Sequence, residues 1–330
     1  MSGAMLVAVL RDPAVADGLK PDQWNGLIAA ARAERLIGTL ALGVEGRDAP
    51  GEVQPILADA RQEAEREARQ ALWEADRAGE ALASLDDRVI LLKGTAYVAA
   101  GLRAGQGRFI GDLDILVGRD IIDGAEDLLR RAGWEWVKED AYDESYYRQW
   151  MHELPPLIHR DRDRMIDVHH TVLPLTAKPT PDARAMIADS VPITGGLYIL
   201  SPEDRVCHAV AHLLADGDMA GGLRNLWDIH CLLAEADAER LAVRAELHQL
   251  GPHVRQARRL ADALYGERRA RLTLWDRLVA ARLVARDGWG RETHKLLRFA
   301  FYLRSHWLRM PPLMLARHLL TKWRKGHRPI

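Results

Sequence analysis

Cysteine is scarce in this 330-residue sequence, which holds only Cys207 and Cys231. Both residues lie in apolar segments with helical periodicity, where a thiol packs as a small apolar side chain. Two such cysteines argue against a disulfide framework and against a zinc cluster, and they fit a reducing compartment. We therefore expect a cytoplasmic protein.

Long hydrophobic runs are also missing. No stretch reaches the roughly 18 apolar residues of a membrane-spanning helix, and the short apolar run in residues 1–17 lacks the basic start of a signal peptide. The formal net charge is only −1 at pH 7, so the chain has no overall field that attracts nucleic acid. The patterns G-x-x-x-x-G-K-[ST], G-x-G-x-x-G and G-x-S-x-G are absent.

Two acidic residues mark the segment RFIGDLDILV, residues 108–117. Asp112 and Asp114 lie two positions apart at the start of an apolar run that favours a buried strand. Because alternate side chains of a strand point to the same face, the two carboxylates project together. Like charges held this close repel each other unless a cation lies between them. The pattern therefore predicts a metal-binding edge on a sheet.

The upstream segment VILLKGT, residues 89–95, predicts a short buried strand, a tight turn and the start of a helix. A helix N-terminus offers unpaired N–H groups and a partial positive charge, so phosphate oxygens can approach Gly94 and Thr95. Lys93 and Arg108 flank this turn and complement polyphosphate charge. The alternative is an ordinary strand-to-helix turn with two solvated basic residues.

The downstream segment RMIDVHH, residues 164–170, predicts another strand that carries an acid, Asp167, on the same face as His169. An unpaired carboxylate is costly to bury, so Asp167 needs a partner. One hypothesis is a third metal ligand facing the first two aspartates. His169 then either orients a carboxylate or contacts the acceptor, although a packing role is slightly favoured for it. The other hypothesis for Asp167 is a salt bridge to an arginine among Arg160, Arg162 and Arg164.

Together these segments resemble the nucleotidyltransferase superfamily related to DNA polymerase beta. Across about residues 20–240 the chain is similar to a group of largely uncharacterised bacterial nucleotidyltransferases. The similar segments are LLKGTAY, RFIGDLDILV, MIDVHH, LSPEDRVCHAVAH and LRNLWDIHCLL. The resemblance implies that Gly94 and Thr95 hold a triphosphate and that Asp112, Asp114 and Asp167 bind two Mg²⁺ or Mn²⁺ ions. Thr95 replaces the usual Gly or Ser, and the 18-residue step from Gly94 to Asp112 is long for the superfamily. Residues 104–107 predict a flexible loop that absorbs the difference.

The fold implied is α+β, with a small mixed sheet of the nucleotidyltransferase type flanked by N-terminal and C-terminal helical regions. We divide the chain into a helical region at 1–87, a catalytic α/β core at 88–200 and a C-terminal helical region at 201–330. The pattern predicts helices at 53–85 and 120–132, and a helix that begins after Ser201 with Pro202 in its first turn. Strands are predicted near 89–92, 113–117, 134–138, 156–159, 165–169 and 193–200.

Several polar residues of the C-terminal region fit structural roles better than chemical ones. His208 and His212 have the i, i+4 spacing of zinc ligands, but the run is HAVAH and not HExxH, so we interpret them as packing residues. Four further residues are interpreted as helix-surface polarity in preference to the lining of a nucleotide cleft: Arg205, Arg224, Asn225 and Asp228.

The end of the chain has the one marked charge asymmetry. Residues 291–330 contain ten lysines and arginines and a single acid, a charge of +9 that leaves −10 for the rest. Aromatic residues alternate with these basic residues. Such a tail predicts docking on the acidic body or on a partner subunit, binding to RNA phosphates, or peripheral contact with an anionic membrane.

The function predicted is transfer of a nucleoside monophosphate from a nucleoside triphosphate such as ATP to an acceptor hydroxyl, with release of pyrophosphate. The acceptor is a tRNA, a peptide or protein side chain, or a small molecule. Two alternatives stay open. A D-x-D pair also holds the metal of glycosyltransferases that use nucleotide sugars, and the fold also suits a catalytically silent nucleotide-binding or interaction module.

Overall fold

The computed structural model describes residues 2–138, 141–215, 217, 219, 221–267 and 270–309. They form many helices around one mixed sheet, which confirms the α+β class. None of the described helices combines the length and the hydrophobicity that a bilayer-spanning segment requires.

The N-terminal part is helical. It contains α1 (Ser2–Arg11), α2 (Pro21–Ala33), α3 (Ile37–Gly43) and the long α4 (Gln54–Ala81). The sequence pattern missed α1, whereas α4 occupies most of the predicted helix at 53–85. An alanine-rich stripe buries one side of α4, because small side chains let this helix approach its neighbours closely. α1 to α3 bury large side chains such as Leu6, Trp24 and Leu40.

The sheet contains β1 (Ile90–Leu91), β2 (Leu113–Leu116), β3 (Trp134–Trp136), β4 (Leu157–His159), β5 (Met165–His169), β6 (Val191–Pro192) and β7 (Tyr198–Ile199). Within the described residues the strand order is β3-β4-β5-β2-β1-β7-β6. β2 is central, and it pairs with β5 in parallel and with β1 in antiparallel orientation. All four residues of β2 are buried, as its apolar run predicted.

Short helices connect these strands: α5 (Lys93–Ala99), α6 (Ile122–Arg131), α7 (Ala141–Trp150) and α8 (Ala183–Ala188). α5 follows β1 directly, so Lys93 and Gly94 lie beside the start of β2. Five of the predicted strand segments each contain a strand. The sixth, at 193–200, is wrong in part, because a turn at Thr194–Gly196 separates β6 from β7 and folds them into an antiparallel pair.

The C-terminal part begins with α9 (Pro202–Val210), which starts at Pro202 as predicted and continues into a π-helical turn at Ala211–Ala215. The side chain of Ser201, however, makes no capping hydrogen bond. The helices that follow are α10 (Gly222–Leu233), α11 (Ala238–Leu247), α12 (Gly251–Leu264), α13 (Leu274–Leu283) and α14 (Lys295–Arg309). The predicted boundaries at 87/88 and 200/201 fall between α4 and β1 and just before α9; as a division into domains they stay a prediction.

The loop at residues 104–107 is not the flexible insertion that the sequence predicted. Ala104 is fully buried, and its carbonyl accepts a hydrogen bond from Arg224 at 2.6 Å. Gly107 lies backbone to backbone against α3, since a Cβ placed on it would be 2.4 Å from the carbonyl carbon of Gly38. The loop is therefore wedged between α3 and α10, and glycine is required at this close approach.

The basic tail is described only as far as Arg309, so its residues 310–330 lie outside the described part of the chain. Within α14, Phe301 is buried and stacks on Trp275, while Leu296, Phe299 and Trp307 are largely exposed. Arg298 pairs with Glu292 at 3.1 Å. Phe301 thus packs against the helix that precedes the tail, while docking of the tail on the body, a partner subunit, RNA or a membrane stays a prediction.

Candidate functional site

Parallel pairing of β2 with β5 brings the acidic residues together. Asp114 is the register partner of Asp167, and Asp112 immediately precedes β2. Each of the three carboxylates offers an oxygen, and these oxygens all lie within 4.8 Å of one another. The convergence that the sequence predicted is therefore present, although the residues are up to 55 positions apart in the chain.

The three aspartates differ in exposure. Asp112 is exposed, Asp167 is half-buried, and Asp114 is only 3 % exposed. The alternative salt bridges to Asp167 are not seen among the described residues. Arg162 pairs with Glu74, Arg160 lies beside Asp161, and Arg164 donates to the carbonyl of Gly111. The cluster thus opens to solvent on the side of Asp112 and is closed behind Asp114.

The carboxylates repel each other across the strand pair. Burial, and then the charges of Asp114 and Asp112, raise the pKa of Asp167 to about 7. Burial also opposes ionisation of Asp114, but the Lys93 ammonium and a hydrogen bond from His169 outweigh it and hold the pKa of Asp114 below its usual range. A cation placed among the oxygens would relieve this repulsion, and an all-oxygen set suits hard divalent ions such as Mg²⁺.

Lys93 supplies the positive charge nearest to the cluster. Its Nζ lies 2.5 Å from Oδ1 of Asp114. Burial alone would lower the pKa of Lys93, but the adjacent Asp114 carboxylate raises it above the ordinary value, so the ammonium stays charged. The backbone of Lys93 has a φ of +48°, a left-handed conformation that is costly outside glycine and that clusters at functional sites. The chain accepts this strain where β1 turns into α5 and aims the side chain at Asp114.

Gly94 and Thr95 follow Lys93 in the first turn of α5, and the side chain of Arg108 packs against Gly94. A Cβ on Gly94 would lie 2.5 Å from Nε of Arg108, so the missing side chain gives the guanidinium its place. Thr95 is 1 % exposed, and its hydroxyl has no hydrogen-bond partner among the described residues. Both Gly94 and Thr95 are buried in the first turn of α5, and their contact with a phosphate stays a prediction.

Arg108 is held by a residue that the sequence interpretation placed on a helix surface. Its guanidinium donates to Oδ2 of Asp228 on α10 and lies over the ring of Tyr97, 5.5 Å from the centroid. Asp228 also accepts from Arg224 at 2.8 Å, and both are almost fully buried. Surface polarity was therefore wrong for three of the four residues, Arg205, Arg224 and Asp228. The pairing partner Arg108 lies 120 positions away, so no local pattern could reveal it.

Histidines line the closed side of the cluster. Nε2 of His169 donates to Oδ1 of Asp114 at 3.0 Å, which is the carboxylate-orienting contact that the sequence suggested. A cavity of about 60 Å³ adjoins Lys93 and His169 and is also lined by His152, His208 and His212. His208 is buried, as expected of a packing residue, but it packs at this cavity. The i, i+4 spacing was the available signal, whereas nothing local indicated His152.

A larger cavity, of about 460 Å³, lies between the N-terminal helices and the loop that leads to Asp112. Its walls combine apolar and charged side chains, and Phe109 and Gly111 connect it to the acidic cluster. The charged lining includes Arg32, Arg35, Asp59 and Glu63. The volume falls within the range of pockets for small ligands.

The comparisons with known proteins agree with this geometry. The profile of a family described as "Uncharacterised nucleotidyltransferase" matches residues 20–266, which include all three aspartates and α9 to α12 up to Leu264. A comparison with curated proteins gave no match. Nucleotidyltransferases act on nucleoside triphosphates and generally use divalent metals, and the acidic cluster is a group of residues able to bind one. The match spans most of the chain, and the chain therefore belongs to this family of uncharacterised nucleotidyltransferases.

Proposed function

We propose that the protein transfers a nucleoside monophosphate from a nucleoside triphosphate to an acceptor hydroxyl and releases pyrophosphate. The observation that carries the proposal is the convergence of Asp112, Asp114 and Asp167 within 4.8 Å at the end of a parallel strand pair. In the reaction the acceptor oxygen bonds to the α-phosphorus, the bond from that phosphorus to the pyrophosphate oxygen breaks, and the hydroxyl proton passes to solvent.

The three aspartates would hold two Mg²⁺ ions, or Mn²⁺ in their place. Such ions neutralise charge on the phosphate oxygens and on the attacking oxygen. The raised pKa of Asp167 fits this role, because among the described residues no cation pairs with its carboxylate while Asp114 has Lys93. Exposure of Asp112 leaves one side of the cluster open to substrate.

The triphosphate would lie toward the turn at the start of α5. Lys93 and Arg108 are charged, and Arg108 uses one of its several N–H donors on Asp228, which fixes the plane of the guanidinium. Gly94 and Thr95 contribute backbone N–H groups of the first helical turn. Catalysis of this kind depends on positioning and charge neutralisation, which rigid, buried supports such as Asp228 provide.

The larger cavity is where we place the rest of the substrates. It adjoins Gly111 and so opens beside Asp112. Charged side chains of both signs line it, so it suits a polar molecule with an apolar portion against Phe109. A tRNA end, a peptide or protein side chain and a small hydroxylated molecule all stay candidates for the acceptor.

The test is incubation of the full chain with each α-labelled nucleoside triphosphate, Mg²⁺ and host extract, followed by identification of the molecule class that becomes labelled. The double variant Asp112→Asn with Asp114→Asn should abolish labelling and still fold, as judged by circular dichroism. Asp127→Asn, an exposed acid on α6, is the matched control and should label like wild type. Undiminished turnover in the double variant would rule out the metal-binding role.

Two further measurements separate the alternative functions. Transfer of label from the sugar of a nucleotide sugar, and none from the α-phosphate, would favour a glycosyltransferase. Calorimetry that detects no Mg²⁺-dependent binding of any triphosphate would favour a silent module.

A further inference from the structure

The histidine-lined side of the acidic cluster carries a second arrangement of metal-ligand atoms. We propose that His152, Glu153 and His169 bind one transition-metal cation of the Zn²⁺ type, at a site distinct from the aspartate cluster. The proposal concerns metal occupancy and does not depend on the nucleotidyl transfer proposed above.

The three side chains converge. Each offers one ligand atom, and these atoms lie within 4.8 Å of one another. Oε2 of Glu153 is 3.4 Å from Nδ1 of His169 and 3.5 Å from Nε2 of His152. These separations leave room for a cation that would draw the atoms toward it.

The backbone holds the convergence in place. Glu153 and His169 form an antiparallel bridge, and the N–H of His170 donates to the carbonyl of His152 at 2.9 Å. The N–H of Leu154 donates to Val168 at the same distance. The segment 152–154 is thus bound along β5, and the ligands are fixed before any ion arrives, as a precise site requires.

The hydrogen bond to Asp114 determines which nitrogen of His169 is available. A carboxylate only accepts, so Nε2 carries the hydrogen and Nδ1 presents its lone pair. Nδ1 is buried and has no hydrogen-bond partner among the described residues. Nδ1 of His169 and Oε2 of Glu153 therefore face each other at 3.4 Å, a separation that two ligand atoms of one cation can have. A histidine ligand whose other nitrogen donates to a carboxylate is the usual support of a metal site.

The size and chemistry of the adjoining cavity limit its occupant. A volume of about 60 Å³ accommodates an ion with a water molecule but no nucleotide. Two imidazoles and one carboxylate form a catalytic-type zinc ligand set and suit Zn²⁺ better than Mg²⁺. Lys93 also lines the cavity, but its charge is engaged by Asp114. His208 and His212 line the same cavity.

The test is calorimetric titration of chelator-treated full chain with ZnCl₂, together with absorption spectra of the Co²⁺-loaded protein. We expect one saturable high-affinity site, d–d bands of a four- or five-coordinate Co²⁺ with nitrogen ligands, and a rise in Tm with added Zn²⁺. His152→Gln and Glu153→Gln should each lose the site. Asp114→Asn, which replaces the carboxylate that supports His169 and pairs with Lys93 by a neutral amide, should weaken binding by about 10–100-fold.

Two comparisons make the result decisive. Asp112→Asn disrupts the aspartate cluster alone and should retain Zn²⁺ affinity, and His253→Gln is the matched histidine control on α12. Wild-type protein without saturable Zn²⁺ binding would overturn the proposal and leave a proton shared between His169 and Glu153. Equal loss of binding in Asp112→Asn, or full binding in His152→Gln, would overturn it as well, because the ion would then lie elsewhere.

Discussion

The ion pair between Lys93 and Asp114 makes a quantitative prediction about the cost of assembling the acidic cluster. In Lys93→Met the side-chain length is kept, but the ammonium 2.5 Å from Oδ1 of Asp114 is lost. Asp114, with a side chain only 4 % exposed, then keeps a single hydrogen bond from His169 while it faces Asp167 in register.

Breaking a buried ion pair by removing one partner costs about 3–5 kcal/mol, because the remaining charge stays buried. The Lys93 side chain is 26 % exposed, so solvent partly screens the pair and we expect the lower end, about 3 kcal/mol. In an Asp114→Asn background no charge is left unpaired, so the same lysine substitution should cost only about 1 kcal/mol. The expected coupling energy is therefore about 2 kcal/mol.

The assay is urea unfolding of the four proteins of this double-mutant cycle in EDTA, with Lys295→Met as an exposed control. A surface substitution of this kind should change the free energy of unfolding by no more than about 0.5 kcal/mol. Additive effects of the two substitutions, or a loss below about 1 kcal/mol for Lys93→Met, would refute the reasoning that Lys93 holds Asp114 charged in the buried cluster.

Two other substitutions test the surroundings of the cluster. Gly94→Ala places a methyl group 2.5 Å from Nε of Arg108, so the guanidinium must leave Asp228. We expect thermal unfolding to show a destabilisation of about 1–3 kcal/mol and calorimetry to show a higher Kd for the triphosphate. An unchanged Kd would argue against Arg108 at the phosphates. Burial opposes ionisation of Asp204, but hydrogen bonds from His248 and from Arg244 of α11 outweigh it and lower the pKa of Asp204. The ionised carboxylate therefore stabilises the fold above its unfolded pKa near 3.8. This stability is lost as the pH falls through the lower folded value. The Tm of Asp204→Asn should accordingly lie below that of wild type at pH 7 and approach it below about pH 4; a constant difference would contradict this assignment.

Local sequence patterns predicted the elements that position the site. The apolar runs at 113–117 and 165–169 give β2 and β5, and the i, i+2 rule places Asp112 and Asp114 on one side. The pairing of β2 with β5 is a long-range contact. The cost of burying an unpaired Asp167 indicated only that it needs a partner and left a salt bridge open, and the resemblance to the nucleotidyltransferase superfamily implied the third metal ligand.

Residues whose partners lie on distant elements could not be interpreted in this way. Arg224 and Asp228 have the i, i+4 spacing of a surface ion pair, and nothing nearby shows that Arg108 and Ala104 cover them. Likewise, His152 gains its meaning only when the segment 152–154 is bound along β5. Helix α7 has a weak apolar pattern and was missed for that reason.

The contacts of Arg224 have a practical consequence for dissecting this enzyme. The guanidinium bonds Thr39 of α3 at 2.7 Å, the carbonyl of Ala104 before the acidic segment, and Asp228 on its own helix. A shortened protein that starts at Val89 would retain the three clustered aspartates but would lose Thr39 and the backbone of Gly38 against which Gly107 packs. A substrate screen with such a fragment would detect no activity because the contacts that support the acidic segment are missing. Assays therefore need the chain with α3 in place.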